Sequence, residues 1–448
     1  MKFKFLWLFL LNAIPLLSQE NTHFCATELP SEQWEIEFQR LIQNQNNHRN
    51  PTTVFVIPVI FHVLHSGENV GTYPNISSEQ IDSQILVLNQ DYSANGLNVA
   101  DYPENAFVNW AINQSIPLTN LDSFGRIKIA NSEIQFCSAL TDAQGNPLSE
   151  PGINRINYSE YGWQNPTSFI TNQELRNYID NVVKPETIWD TTKYLNIWIT
   201  DKNDAINFKG FATPPPLSGL AGIPNTTTNL NDGVWSYTKS VGSSDIYPNG
   251  IYFSTEVKGR LLTHEIGHWL GLRHIWGDGN CLTDYCNDTP SQSNPNAGNP
   301  TYPQSVGSCS NPSNFPDGEM YMNFMDYTAN QSMYMFTSDQ VTRMQTAMTN
   351  SPNRNQLGTH NVCNPSLSLT NNHSLNSIKV YPNPTSDTVT IEDNDSLISE
   401  IEVFSIIGQQ IAKITENSFS LKHLESGVYL LKIHLKNGEI KVIRILKE

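Results

Sequence analysis

The chain has 448 residues, enough for two or three domains, and 38% of them are apolar, so a sizeable buried core is available. It carries 43 acidic against 26 basic side chains, a net charge of −17 that argues against a nucleic-acid partner and for a well-solvated surface. Beyond the opening segment, no run approaches the ~20 apolar residues that a membrane helix needs.

The chain begins Met1-Lys2-Phe3-Lys4 and continues Phe5-Leu6-Trp7-Leu8-Phe9-Leu10-Leu11. A basic start before a short apolar core is the pattern of a signal peptide. It is assigned to residues 1–18, with cleavage near Ser18-Gln19, so the mature protein is expected to be exported. Six cysteines in an exported chain invite disulfides, whose connectivity the sequence leaves open. Residues 19–50 read as a pro-segment and 51–350 as the main domain. Residues 54–64 form an apolar, β-branched run expected as a central strand, with His62 and His65 structural. Residues 78–89 have helical periodicity after a polar start, Ile76-Ser77-Ser78-Glu79-Gln80, and read as a backing helix. Residues 194–200 read as another strand. Gly210-Phe211-Ala212-Thr213-Pro214 and Gly250-Ile251-Tyr252-Phe253 are expected to frame the upper edge of a cleft, where a strand edge could pair with an extended peptide.

The most informative string follows: His264-Glu265-x-x-His268-x-x-Gly271-x-x-His274. His264 and His268 are i and i+4, so on a helix their rings share one face. Leu261, Leu262, Ile266, Trp269 and Leu270 give that helix an apolar side. Gly271 can take positive φ, ending the helix and turning His274 back toward the other two. Three imidazoles at this spacing suit a zinc ion with a fourth position left for water, and Glu265 is the expected general base. An inert structural zinc would call for a fourth protein ligand, often Cys. Cys25, in Phe24-Cys25-Ala26-Thr27, has two readings: a thiolate that caps the zinc and keeps the enzyme latent, or a disulfide partner of Cys363.

Downstream, Asn323-Phe324-Met325-Asp326-Tyr327 offers the methionine turn of metzincins at Met325, although several neighbouring methionines could be plain core. With Ile57-Pro58-Val59-Ile60-Phe61-His62-Val63, Leu88-Asn89-Gln90-Asp91-Tyr92, Ile134-Gln135-Phe136-Cys137, Tyr194-Leu195-Asn196-Ile197-Trp198 and Asp288-Thr289-Pro290, the chain resembles the pappalysin family of metzincins over residues 54–350. The resemblance implies an α+β catalytic domain: a twisted mixed sheet with an active-site helix, above an irregular C-terminal subdomain. It implies that Tyr327 supports the oxyanion, against the alternative of simple packing. It also implies a Cys281–Cys309 disulfide and calcium near Asp284 and Thr289, with Asp288 beside them; a turn without any ion is the alternative. The family's second disulfide there would end at Ser332, which breaks the pattern and leaves a Cys137–Cys286 bridge as one option. Relatives that cleave before arginine carry an acidic residue where this chain has Gln331, so strong arginine selection is not expected.

Residues 351–374 are rich in Asn, Ser, Thr and Pro and read as a linker. From 375 to 448 come short alternating strands with Gly408, Gly427 and Gly438 at turns, expected as a small all-β sandwich. Tyr381-Pro382-Asn383-Pro384 and Gly427-x-Tyr429 resemble the C-terminal sorting domain of type IX secretion substrates, which implies that secretion machinery as a partner. A carbohydrate-binding or adhesion module is the competing reading. For the whole chain, two functions stand: a secreted, zinc-dependent endopeptidase of extracellular proteins, or a non-catalytic adhesin stapled by zinc. Glu265 separates them, since an adhesin needs no base beside its ligands.

Overall fold

The computed structural model describes residues 25–46, 54–216, 230–254, 256–304, 309, 316–360, 362–363, 379–383, 385–392, 398–405, 410–436 and 440–447. The signal peptide expected at 1–18 lies outside them. The chain divides into two compact units, Met1–Pro365 and Ser366–Glu448.

The first unit is organised around strand β1 (Phe55–His65), buried from Ile57 to Leu64. A strand covered on both faces reads as a continuous apolar run rather than an alternating one. Along one side of β1 run β2 (Ile134–Ser138) and β3 (Ile153–Asn157), each parallel to a different half of it. On the other side the order is β4 (Leu195–Thr200), then β6 (Val234–Tyr237), then β5 (Gly210–Ala212). Only β5, at the edge, is antiparallel to its neighbour.

Helices cover both faces. On one, α2 (Ser78–Tyr92) and α6 (Arg260–Trp269) bury Ile81, Ile85, Leu88, Leu262 and Ile266 against Ile57, Val59 and Phe61. On the other, α4 (Asn172–Tyr178), a π-turn at Ile179–Val183 and α5 (Lys184–Thr187) bury Leu175 and Val183 against Trp198, Phe211 and Trp235. α1 (Glu32–Asn46) precedes the sheet, α3 (Val108–Asn113) follows α2, and α7 (Ser338–Asn350) follows the short parallel pair β7 (Ala297–Gly298) and β8 (Tyr327–Thr328).

The residues quoted upstream for the family likeness act as clamps. Asn89 exchanges two hydrogen bonds with the backbone of Phe136, at 2.8 and 2.9 Å, locking α2 to β2. Asn196 Oδ1 lies 2.9 Å from His62 Nε2, and burial pushes that imidazole down to about 4, so His62 is a neutral structural residue. Gly250-Ile251-Tyr252-Phe253 forms no strand; Gln80 holds it at both Ile251 backbone groups, so its polar backbone is satisfied by α2 rather than by a sheet.

Two expectations about the end of this unit are overturned. Residues 351–360 and 362–363 are not linker: Arg354 is fully buried, bonded to Asp232 at 3.0 Å and lying over Trp269, and Leu357 joins the main core. Cys363 is bonded to Cys137, across 226 residues of sequence, which removes both the Cys25–Cys363 and the Cys137–Cys286 alternatives. A low-complexity composition misled here because one buried arginine and one bridge suffice to fix an otherwise polar segment.

The second unit pairs two antiparallel sheets. One has the order β13 (Ser418–Ser420), β10 (Thr388–Glu392), β9 (Lys379–Tyr381). The other runs β12 (Gln410–Ile414), β11 (Ile398–Ser405), β14 (Gly427–Leu435), β15 (Ile440–Lys447). Val389 and Ile391 from the first meet Ile401, Val403, Leu431 and Ile433 from the second in one core, a small β-sandwich.

Candidate active site

The azimuth of α6 is set before its histidines are reached. Arg260, buried in the first turn, donates to Asp91 at 3.2 Å and to the Asn330 carbonyl at 2.9 Å. Thr263 Oγ1 bonds the other Asp91 oxygen at 2.8 Å, and Tyr92 donates to the Thr263 carbonyl at 3.1 Å. Asp91 and Tyr92 thus pin the helix that carries His264 and His268. At the far end Gly271 adopts φ 91°, and its carbonyl accepts from Arg343 at 2.8 Å. Any other residue in that left-handed conformation would be strained by about 1–2 kcal/mol, and a Cβ there would also sit 3.0 Å from Phe38.

The turn brings the three imidazoles together. His268 Nε2 lies 3.1 Å from His264 Nε2 and 3.1 Å from His274 Nε2. Each Nδ1 faces an oxygen: the Phe324 carbonyl for His264 at 2.7 Å, the Leu272 carbonyl for His268 at 2.9 Å, and the Asp278 carboxylate for His274. Those acceptors hold the ring protons on Nδ1, so the Nε2 atoms present lone pairs to one another. No proton lies between them to make the short approaches hydrogen bonds. Burial pushes His264 well below its usual value and His268 down to about 3, with the neighbouring rings adding to the shift. Three imidazole Nε2 atoms converging on one point fit a metal cation, and the Cys25 sulfur belongs to the same group of potential ligands.

Several of the residues singled out from the sequence stand around this cluster. Glu265 Oε2 accepts from the Cys25 thiol at 3.3 Å and from Thr27 Oγ1 at 3.0 Å, while Oε1 is buried without a hydrogen-bond partner. Burial raises the carboxyl to about 8. A Cβ on Gly210 would lie 2.5 Å from Glu265 Oε1, so β5 approaches the carboxylate only because that position is glycine. Met325 lies beneath α6: a Cβ on Gly267 would be 2.6 Å from its sulfur. The residue before it supplies the carbonyl that orients His264, so the turn both floors and aims the site. Tyr327 places its hydroxyl 3.2 Å from His274 Nε2 and 3.5 Å from the Cys25 carbonyl. Trp276 stacks on His274 with ring centroids 4.4 Å apart.

Other expected positions lie apart from the imidazoles. Asp284 accepts from Thr289 at 2.8 Å and from the Cys286 amide at 3.1 Å. Asp288 instead faces the start of α7, taking bonds from Thr337 at 2.6 Å and the Asp339 amide at 3.0 Å. Burial raises each carboxyl to about 7. Gln331 is exposed in the turn Asn330–Ser332, and Asn98 donates to its carbonyl. Cys281 is bonded to Cys309, and Cys286 is a buried free thiol. Sequence reasoning missed Asp278 and Trp276; it placed Gly210 at the cleft edge but not against Glu265, and gave Thr27 no role beside Cys25. Only Asp278 left a signal, an acidic residue four positions beyond a candidate ligand.

A family profile described as Peptidase_M43, pregnancy-associated plasma protein-A, matches residues 177–349. Mature mirolysin of Tannerella forsythia in complex with a cleaved peptide is 34% identical, with a TM-score of 0.51, and the match covers 68% of this chain and 96% of that one. The chain belongs to the pappalysin family of metalloproteases. Promirolysin of the same organism is 32% identical, with a TM-score of 0.53, over 74% of this chain and 96% of that one. An extracellular metalloprotease of Aspergillus oryzae is 27% identical over 344 residues, 72% of this chain and 88% of its own length. A secretion system C-terminal sorting domain profile matches residues 379–447. This pappalysin is therefore a secreted metalloendopeptidase carrying a type IX sorting domain, and the adhesin alternative finds no support. Among the described residues no helix is long and apolar enough to cross a membrane.

Because Asp278 fixes the His274 tautomer, Asp278→Asn should weaken metal affinity about 10–100-fold without unfolding the chain. Competition against a chromogenic chelator measures this, and unchanged affinity would remove Asp278 from the site.

Proposed function

We propose that the metal is zinc, held by His264, His268 and His274, and that the protein cleaves internal peptide bonds of extracellular proteins. The observation that carries this is the convergence of three proton-free Nε2 atoms beside the Glu265 carboxylate. The donor set favours zinc over calcium or magnesium, which prefer oxygen ligands. Zinc bound there supplies Lewis-acid polarisation and lowers the pKa of water in contact with it.

The chain's own residues supply the rest. Glu265 accepts the proton of the attacking water and passes it to the leaving amine, a role suited to a carboxylate with one buried oxygen still unpaired. Tyr327 donates its hydroxyl to the oxygen on which negative charge develops; its burial, with Cys25 and Glu265 nearby, holds the phenol protonated and able to donate. Met325 supports the ligands from below. The edge of β5 binds extended peptide by main-chain pairing, as Ala26 already does by donating its amide to the Gly210 carbonyl, while the Thr27 hydroxyl accepts from the Ala212 amide. Residues 19–50 act as the pro-segment, with Cys25 as the latency ligand whose removal opens the site. Uncharged Gln331 gives no basis for strong arginine selection.

We also keep calcium at the Asp284–Thr289 loop, because a hard cation would offset the burial that raises both carboxyls. A calcium-selective chelator should lower the thermal midpoint by several degrees while zinc stays bound; an unchanged midpoint would remove calcium from the account. For the catalytic assignment, Glu265→Gln should bind zinc stoichiometrically yet lose proteolysis by at least about 10²–10⁴-fold. Undiminished peptide cleavage by the metal-loaded variant would exclude Glu265 as the base.

A further inference from the structure

The segment Cys25–Glu28 lies between the histidines and the edge of β5, and one residue of the opposite sheet face reaches across to it. Arg176, from α4, donates its Nη1 to the Ala26 carbonyl at 2.7 Å. Its guanidinium lies 3.9 Å from the centroid of the Phe211 ring, on β5 itself. Its Nη2 stands 3.8 Å from the carboxylate of Glu28, which is largely exposed. Arg176, Cys25, Ala26, Glu28, Asn172, Gln173 and Phe208 line a pocket of about 290 Å³. Arg176 therefore borders both the strip where a substrate backbone would pair and an open recess beside it.

Arg176 pairs with Asp180, and the same carboxylate also binds the buried Lys184 at 2.8 Å. That carboxylate is shared by the two cations, with Asp232 acting on Lys184 and Glu265 on Arg176 from farther off, so Arg176 is only partly neutralised from within the fold. Lys184 is sealed between Trp198 and Phe211 and cannot reach a ligand. Arg176, about 18% exposed at its side chain, is the cation open to one. Glu28 meets it only loosely, at a distance where a closer carboxylate would bind better.

We infer that Arg176 is a specificity-determining residue, selecting peptide substrates with a Glu or Asp side chain in the recess that Glu28 now borders. Its Nη1 takes the substrate main-chain carbonyl in place of Ala26, and its Nη2 takes the acidic side chain. This rests on the reading of Cys25–Glu28 as the segment that leaves the cleft of an active protease. The selected residue falls within about three positions of the cut, the span from Cys25 to Glu28.

The test uses the full chain after secretion and self-processing, with peptides that carry Glu, Gln or Lys at each position flanking one cut. The unmodified enzyme should prefer Glu over Gln at one of those positions by about tenfold in kcat/KM. The preference should be carried by KM and shrink as salt rises. Arg176→Glu should transfer the preference to Lys, and Arg176→Lys should retain a weaker acidic preference. Equal cleavage of the Glu and Gln peptides by the unmodified enzyme overturns the inference while leaving the protease assignment standing. So does an acidic preference that survives in Arg176→Glu. If Arg176→Glu is not secreted, the Glu-to-Gln ratio of the unmodified enzyme and its salt dependence decide alone. Absence of any cleavage would contradict the protease assignment, and this inference with it.

Discussion

Three Nδ1 hydrogen bonds carry more of this structure than any other set of contacts. By holding the ring protons of His264, His268 and His274 on the outer nitrogens, they force three lone pairs to within 3.1 Å contacts around one point. Such an arrangement is unfavourable unless a cation fills it, so the surrounding fold must hold it open. The acceptors come from three places: the methionine turn, the helix-ending turn at Gly271, and a loop carboxylate. The methionine turn in particular ties the irregular lower region to the sheet-bearing upper one, through the Phe324 carbonyl and the contact of Met325 with Gly267.

The leading segment uses the same architecture from the other side. Glu35 on α1 is buried between Arg343 and Arg273; burial pushes its carboxyl up, but the two guanidiniums outweigh this and leave it below the usual range. Arg343 also holds the Gly271 carbonyl, so the arginine that receives α1 is the one that secures the turn bringing in His274. Trp34 adds a 2.9 Å bond to the Pro215 carbonyl, and Phe38 packs over Gly271. A charged pair buried this deeply is costly to break from one side, by roughly 3–5 kcal/mol when a partner is simply deleted. Arg343 holds the Gly271 carbonyl as well as Glu35, so the turn does not depend on the ion pair alone.

Much of the site was legible because it is local. The spacing of His264, His268 and Gly271 encodes a helix face and a stop, and both follow from backbone geometry alone. The central strand and backing helix were legible for a similar reason: a wholly buried strand and an amphipathic helix leave periodic traces in composition. What escaped depends on residues far apart in sequence. Asp278 is ordinary until His274 turns toward it, and Gly210, expected at the cleft edge, shows why it must be glycine only once Glu265 is seen against it. The 351–363 stretch has a linker's composition, yet Arg354 and Cys363 anchor it through partners more than a hundred residues away. Arg176 left no trace at all, since a charged residue on a short helix is normally solvated.

Zinc K-edge X-ray absorption on the full-length chain, before its leading segment is removed, reads the atoms that surround the metal. Three nitrogen neighbours at about 2.0–2.1 Å and one sulfur at about 2.3 Å are expected, with the sulfur lost once the segment has gone. A nitrogen and oxygen shell without sulfur in the intact chain, or no bound zinc, would contradict that coordination.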